Sequence, residues 1–121
     1  VVGLAHIMLP SSRNARNNSN IAKFADTAVI KLVEDMAGLG ALRTQIVAKI
    51  AGGAQMFWCS DSSDMMRIGS RNVAATKEAL RELKIPILAE DTGGNYGRTI
   101  EINSENGKLL IKTIGHGLKE I

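Results

Sequence analysis

The chain has 121 residues, 45% of them hydrophobic and 22% charged, which is enough for one domain with a real core. No apolar run approaches the roughly 18 residues that a membrane-spanning helix needs. The net charge of +3 and pI of about 9.3 come from dispersed lysines and arginines with few aromatics between them, a pattern that excludes a nucleic-acid stacking platform.

Residues 1–9 read as a first strand. Val2, Leu4, His6 and Met8 share one face, and Val1, Gly3, Ala5, Ile7 and Leu9 the other. Both faces are mostly apolar, so this strand is expected to be central and covered on both sides, with His6 buried. Residues 11–20 read as a polar loop. Residues 22–39 read as a helix, with Ala25, Ala28, Val29, Leu32, Val33 and Met36 on one stripe. Asp26 suits its N-terminal dipole, and Gly38 and Gly40 supply the stop. A strand over 44–50 runs into Gly52-Gly53, and a second polar loop covers 57–67. Ser70 is the expected N-cap of a second helix over 70–83, whose buried stripe is Val73, Thr76, Leu80 and Leu83; Ile85-Pro86 closes it. Then come a strand over 87–91, the glycine pair Gly93-Gly94, and a hairpin of 99–103 and 108–114 turned at Asn106-Gly107. Residues 118–121 add a short last strand. The order β-α-β-α-β-β-β predicts one layered α/β (α+β) domain over 1–121, with two main helices and a mixed sheet.

Few residues carry chemistry. His6 is the leading candidate: a buried imidazole kept neutral suits a general base, and it equally suits a core histidine satisfied by a backbone carbonyl. Gly52, Gly53, Gly93 and Gly94 each follow a strand, where glycine allows close backbone approach to a substrate or an oxyanion, or simply makes a turn. Neither pair is followed by the Gly-Lys-Ser/Thr of a phosphate loop. Asp91, Asn95 and Arg98 flank the second pair and either position a polar amide or hold the turn together. His116 lies between glycines in a loop expected to be exposed. Cys59, the only cysteine, has no adjacent cation to activate it, and one cysteine with two histidines makes no metal-ligand cluster. A single cysteine also favours a reducing, cytoplasmic setting. No cofactor is implied.

Several blocks in fixed order carry a resemblance. They are Ala5-His6-Ile7-Met8-Leu9-Pro10, Lys23-Phe24-Ala25-Asp26-Thr27-Ala28, Lys49-Ile50-Ala51-Gly52-Gly53-Ala54 with Met56-Phe57, Ile68-Gly69 with Arg71-Asn72, and Ala89-Glu90-Asp91-Thr92-Gly93-Gly94-Asn95 with Arg98. From residue 3 to 121 the chain resembles the chemoreceptor glutamine deamidases (CheD) of bacterial chemotaxis. The resemblance implies hydrolysis of a receptor glutamine side-chain amide to glutamate with release of ammonia. It implies a cysteine thiolate as nucleophile, a histidine base that matches His6, and an orienting threonine. It also implies two partners, methyl-accepting chemoreceptors and a CheC-like phosphatase. The family's Gly-Ser-Cys segment and its threonine precede the histidine strand, and these 121 residues hold neither segment. The expectation is therefore an N-terminally incomplete domain, inactive by itself for lack of the nucleophile, which Cys59 does not replace. The alternative is a binding module for chemoreceptors or a CheC-like phosphatase that catalyses nothing.

Overall fold

The apolar stripe that begins at Ala25 has to be buried, and it organises the rest of the molecule. The computed structural model describes residues 1–13, 19–55 and 67–121. The stripe forms helix α1 (Ala25–Gly38), which buries Ala25, Ala28, Val29 and Val33. No side chain caps its N-terminus; the Ala25 amide instead donates to the Leu9 carbonyl at 3.0 Å. At the other end the Ala41 amide reaches the Met36 carbonyl and the Gly40 amide the Ala37 carbonyl, both at 3.0 Å, with Gly40 at φ +105°. That pair of bonds is a Schellman motif, and it satisfies the last turn's orphan carbonyls as the two glycines predict.

Helix α2 (Ile68–Glu82) ends the same way. The Ile85 amide bonds the Leu80 carbonyl at 2.9 Å and the Lys84 amide bonds that of Arg81 at 3.0 Å, with Lys84 itself at φ +58°. The motif's apolar contact joins Ile85 to Leu80, and both belong to the core formed with Val29 and Val33. The helix starts two residues before the expected Ser70, whose hydroxyl donates to the Arg67 carbonyl from inside the first turn instead of capping it.

The expected 44–50 strand splits. Arg43–Gln45 is a short 3₁₀ turn and β1 runs Ala48–Gly52. It pairs in parallel with β2 (Ile87–Thr92) across α2, a β-α-β unit. Ala48, Ile50 and Ile87 pack on the helix core, so both helices cover one face of this pair. β3 (Thr99–Ile102), β4 (Leu109–Thr113) and β5 (Gly117–Glu120) form an antiparallel meander. Its hairpin turn is the predicted one: Gly107 at φ +72° donates to the Asn103 carbonyl at 2.8 Å. Parallel and antiparallel pairing are thus both present, divided among the described residues between a two-stranded and a three-stranded sheet.

The first segment departs from expectation. Residues 1–8 form no ladder, and Leu9 makes only an isolated parallel bridge with Phe24. One face is covered: Ile7 packs on the core, and Gly3 crosses α1 so closely that a Cβ there meets Leu32 Cδ1 at 2.6 Å. The other face, with Leu4, His6 and Met8, is exposed, Leu4 at 58% and Met8 at 55%. Apolar composition on both faces is a preference for cover, and here α1 and the core supply cover to only one.

Candidate functional site

His6 is held by its neighbours' backbone. The Met8 and Leu9 amides both donate to the Lys23 carbonyl, at 2.9 and 3.1 Å, and Asn72 Nδ2 donates to the Met8 carbonyl at 3.1 Å. The strand is thereby fastened on one side to the start of α1 and on the other to α2. Its alternation then turns the imidazole outward, so His6 is exposed and the buried-histidine expectation is corrected. The imidazole lines a groove of about 330 Å³ with Leu4, Met8, Lys23, Lys31 and Asp35. An accessible imidazole in a partly apolar groove can take a proton from a bound group and return it, the requirement for general-base work.

The two glycine pairs meet. The Gly93 amide donates to the Gly52 carbonyl at 2.9 Å, and the Gln55 amide to the Gly94 carbonyl at 2.9 Å, which carries the β1–β2 pairing past both strand ends. All four glycines have positive φ, between +69° and +113°. Gly53 also lies against α2, where an added Cβ would collide with Val73 Cγ2. Gly69 faces it; a Cβ there meets the Gly53 and Ala54 carbonyl oxygens at 2.6 Å. The first two turns of α2 therefore touch both parts of the candidate site, with Gly69 on the glycine turn and Asn72 on the histidine strand.

Arg98 and Asp91 serve the turn from behind. Arg98 Nε donates to Asp91 Oδ2 at 3.3 Å and its NH1 to the Gly52 carbonyl at 3.4 Å; their side chains are 3% and 14% exposed. Lys119 from β5 sits 3.5 Å from Asp91 Oδ1. Burial acts to raise the Asp91 carboxyl, but the hydrogen bond and charge of Arg98, seconded by Lys119, outweigh it and hold the carboxyl below its ordinary value. The Arg98 guanidinium also lies 4.6 Å from the centre of the Tyr96 ring, and Tyr96 stacks on His116 at 4.0 Å. His116 is exposed, as expected, and Asn95 is exposed at the turn.

Cys59 and its loop lie outside the described residues. Among the described residues no group of three His, Cys, Asp or Glu side chains is placed to hold a metal ion, and no helix is long and apolar enough to cross a membrane. Sequence reading missed Lys23 and Lys31 as neighbours of His6 and Asn72 as a partner of its strand. Lys23, Lys31 and Asn72 stand 17, 25 and 66 residues from His6 and no short motif connects them.

The family model CheD, chemotactic sensory transduction, matches residues 8–113. The chain is 60% identical over 121 residues to the probable chemoreceptor glutamine deamidase CheD of Lachnoclostridium phytofermentans, an alignment that takes in 100% of this chain and 75% of that protein. It is equally similar, 60% over 121 residues with the same coverage, to the protein of the same name in Caldanaerobacter subterraneus. It is 55% identical over 122 residues to the chemoreceptor glutamine deamidase CheD of Halalkalibacterium halodurans, covering 100% of this chain and 75% of the relative. Each of these alignments includes the His6 strand, which the family match reaches only at Met8.

Proposed function

We propose, because the chain belongs to the CheD family of chemotactic sensory transduction, that it carries the histidine side of a chemoreceptor glutamine deamidase site. The reaction is hydrolysis of a glutamine side-chain amide on a receptor, giving glutamate and ammonia. The relatives, named as chemoreceptor glutamine deamidases, support the activity and the receptor as substrate. The observation that carries the reading to particular residues is the His6 imidazole, accessible in a groove while its strand is clamped on both sides.

In this reading a thiolate attacks the carboxamide carbon and forms a C–S bond, and the oxygen takes up the charge of the tetrahedral intermediate. His6 holds the thiol proton and gives it to the departing nitrogen, so ammonia leaves and a thioester remains. Water, deprotonated by the same imidazole, cleaves the thioester to a carboxylate and restores the thiol. Backbone amides at the glycine turns, other than those of Gly93 and Gln55 that bond the Gly52 and Gly94 carbonyls, are the candidate donors for the oxyanion. Gly52, Gly53, Gly93, Gly94, Asn95 and Arg98 keep that part of the proposal, with Arg98 acting through the Gly52 carbonyl and Asp91 rather than on substrate.

The thiol has to come from a Gly-Ser-Cys segment like that of the family, which the 121 residues do not contain. By themselves they are expected to bind without turnover. The second reading is a module that engages chemoreceptors or a CheC-like phosphatase and catalyses nothing.

Joining a family Gly-Ser-Cys segment ahead of Val1 tests the choice. Ammonia release from a receptor glutamine is expected, and His6→Ala in that polypeptide removes most of it. Undiminished release in the variant overturns the base role of His6. Because His6 is exposed, His6→Ala is expected to change stability by less than about 0.5 kcal/mol, so lost activity is not lost fold. Cys59→Ser leaves the activity intact; its loss there would assign the thiol to Cys59.

A further inference from the structure

We infer that the groove beside His6 selects glutamines with acidic neighbours, and that Lys23 and Lys31 read those neighbours. The inference rests on the deamidase reading of His6 and adds the chemistry of the substrate to it.

The groove runs between the histidine strand and one face of α1. Ala28, Lys31, Leu32 and Asp35 line it at helical spacing, and Lys23 stands just ahead of the helix. The small Ala5, Ala22 and Ala28 keep the floor open. Leu4 and Met8, each more than half exposed, give a bound chain apolar surface to lie on. The charge on the groove walls is two lysines against one carboxylate. Asp35 is engaged with Lys31 at 3.0 Å. Lys23 has no carboxylate at ion-pair distance among the described residues; its ammonium lies 5.8 Å from the centre of the Phe24 ring.

The backbone of Lys23 is tied to the histidine segment two and three residues beyond His6. Its carbonyl accepts the Met8 and Leu9 amides, and the side chains of Lys23 and His6 both line the groove. A peptide whose glutamine reaches His6 has to lay its flanking residues along Lys23 and Lys31. Flanking carboxylates are attracted there and flanking lysines are repelled. A neutral glutamine placed among acidic residues on a receptor segment is the occupant that matches both the apolar and the cationic parts of the wall.

The test uses the 121-residue chain and two synthetic peptides, one with a glutamine flanked by glutamates and one with those glutamates replaced by glutamine. Binding is followed through the backbone amide resonances of residues 4–8 and 22–35. The acidic peptide is expected to bind at least about threefold tighter. Lys23→Gln and Lys31→Gln are each expected to weaken it roughly two- to fivefold, and Asp35→Asn, which unmasks Lys31, to tighten it by a similar factor. The difference between peptides fades as salt is raised from about 50 to about 300 mM. Lys31 and Asp35 are surface residues, so the Lys31→Gln and Asp35→Asn arms stand even where Lys23→Gln disturbs the strand anchor. Equal binding of the two peptides, no binding of either, or an acidic-peptide affinity indifferent to both lysine changes overturns the inference. None of those results touches the deamidase reading, which is decided separately by ammonia release from the extended polypeptide.

Discussion

Asp91 and Arg98 are the most deeply buried ion pair among the described residues, and they behave differently from the surface pairs. Lys31–Asp35, Lys77–Glu90 and Lys112–Glu101 are all 40% or more exposed and contribute little each. Arg98, at 3% exposure, cannot be removed so lightly. Arg98→Ala strips a partner from a shielded carboxylate and a donor from the Gly52 carbonyl, and is expected to cost about 3 kcal/mol in urea unfolding. Acid reads the same pair from the other side. The folded Asp91 carboxyl lies below its ordinary value, which in the unfolded chain is about 3.9. A depressed carboxylate contributes its stability fully above the unfolded value and loses it as pH falls through the folded one. Wild type is therefore expected to be more stable than Asp91→Asn above about pH 5, with the gap closing below about pH 4. A gap that stays constant to low pH would show that the Asp91 charge does not matter.

At the scale of elements, two helical glycines make opposite predictions. Gly38 has nothing within 4 Å of where a Cβ would stand, so Gly38→Ala is expected to stabilise α1 by about 0.5–1 kcal/mol. Gly69 gains the same propensity, yet its Cβ meets two carbonyl oxygens at 2.6 Å. Those belong to backbone that is itself bonded into the glycine turn, so Gly69→Ala is expected to destabilise by roughly 2 kcal/mol. Thermal melts of the two variants decide it, and a stabilised Gly69→Ala would mean the α2–glycine-turn contact is loose. Propensity is readable in sequence and this contact is not, which is also how the rest of the chain divides. The stripe of α1, its Gly40 stop, the Ile85-Pro86 stop of α2 and the Asn106-Gly107 hairpin are local signals, and the fold follows them. The register of β1 was harder, because Lys49 interrupts an apolar run and the 3₁₀ turn at Arg43–Gln45 delays the strand. The exposure of His6 was not legible at all. Leu4 and Met8 beside it argue for cover, and sequence does not state whether the cover comes from residues of the same chain. The candidate site was legible in its glycines and its histidine, but not in Lys23, Lys31 or Asn72, which only the docking of three elements brings to them.

Across the whole molecule, polar contacts run between the helix-side core and the β3–β5 sheet. Val29, Val33, Leu80 and Ile85 form the helix-side core, while Leu109 and Ile111, at 3% and 1% exposure, anchor the inner face of the β3–β5 sheet. Between them Lys49, projecting from β1 away from the helices, donates to the Gly107 carbonyl at 2.9 Å and to that of Ile121 at 2.8 Å. Arg98 and Lys119 make the neighbouring link through Gly52 and Asp91. The described hydrogen bonds of this junction come from a few long side chains, so the meander is expected to unfold as its own unit before the helices do. Lys49→Met removes two charge-assisted bonds at that junction while keeping most of the side-chain volume. It is expected to lower the hydrogen-exchange protection of the β4 amides by about 1.5–3 kcal/mol and to leave α1 and α2 amides unchanged. Equal loss in both regions would mean one cooperative unit. If the meander does open alone, the groove beside His6, built from the first segment, residues 20–23 and α1, keeps its shape while the backing of the glycine turns loosens. Peptide binding in the groove and support of the oxyanion site would then be separable: Lys49→Met would leave peptide affinity in place and lower turnover in the extended polypeptide.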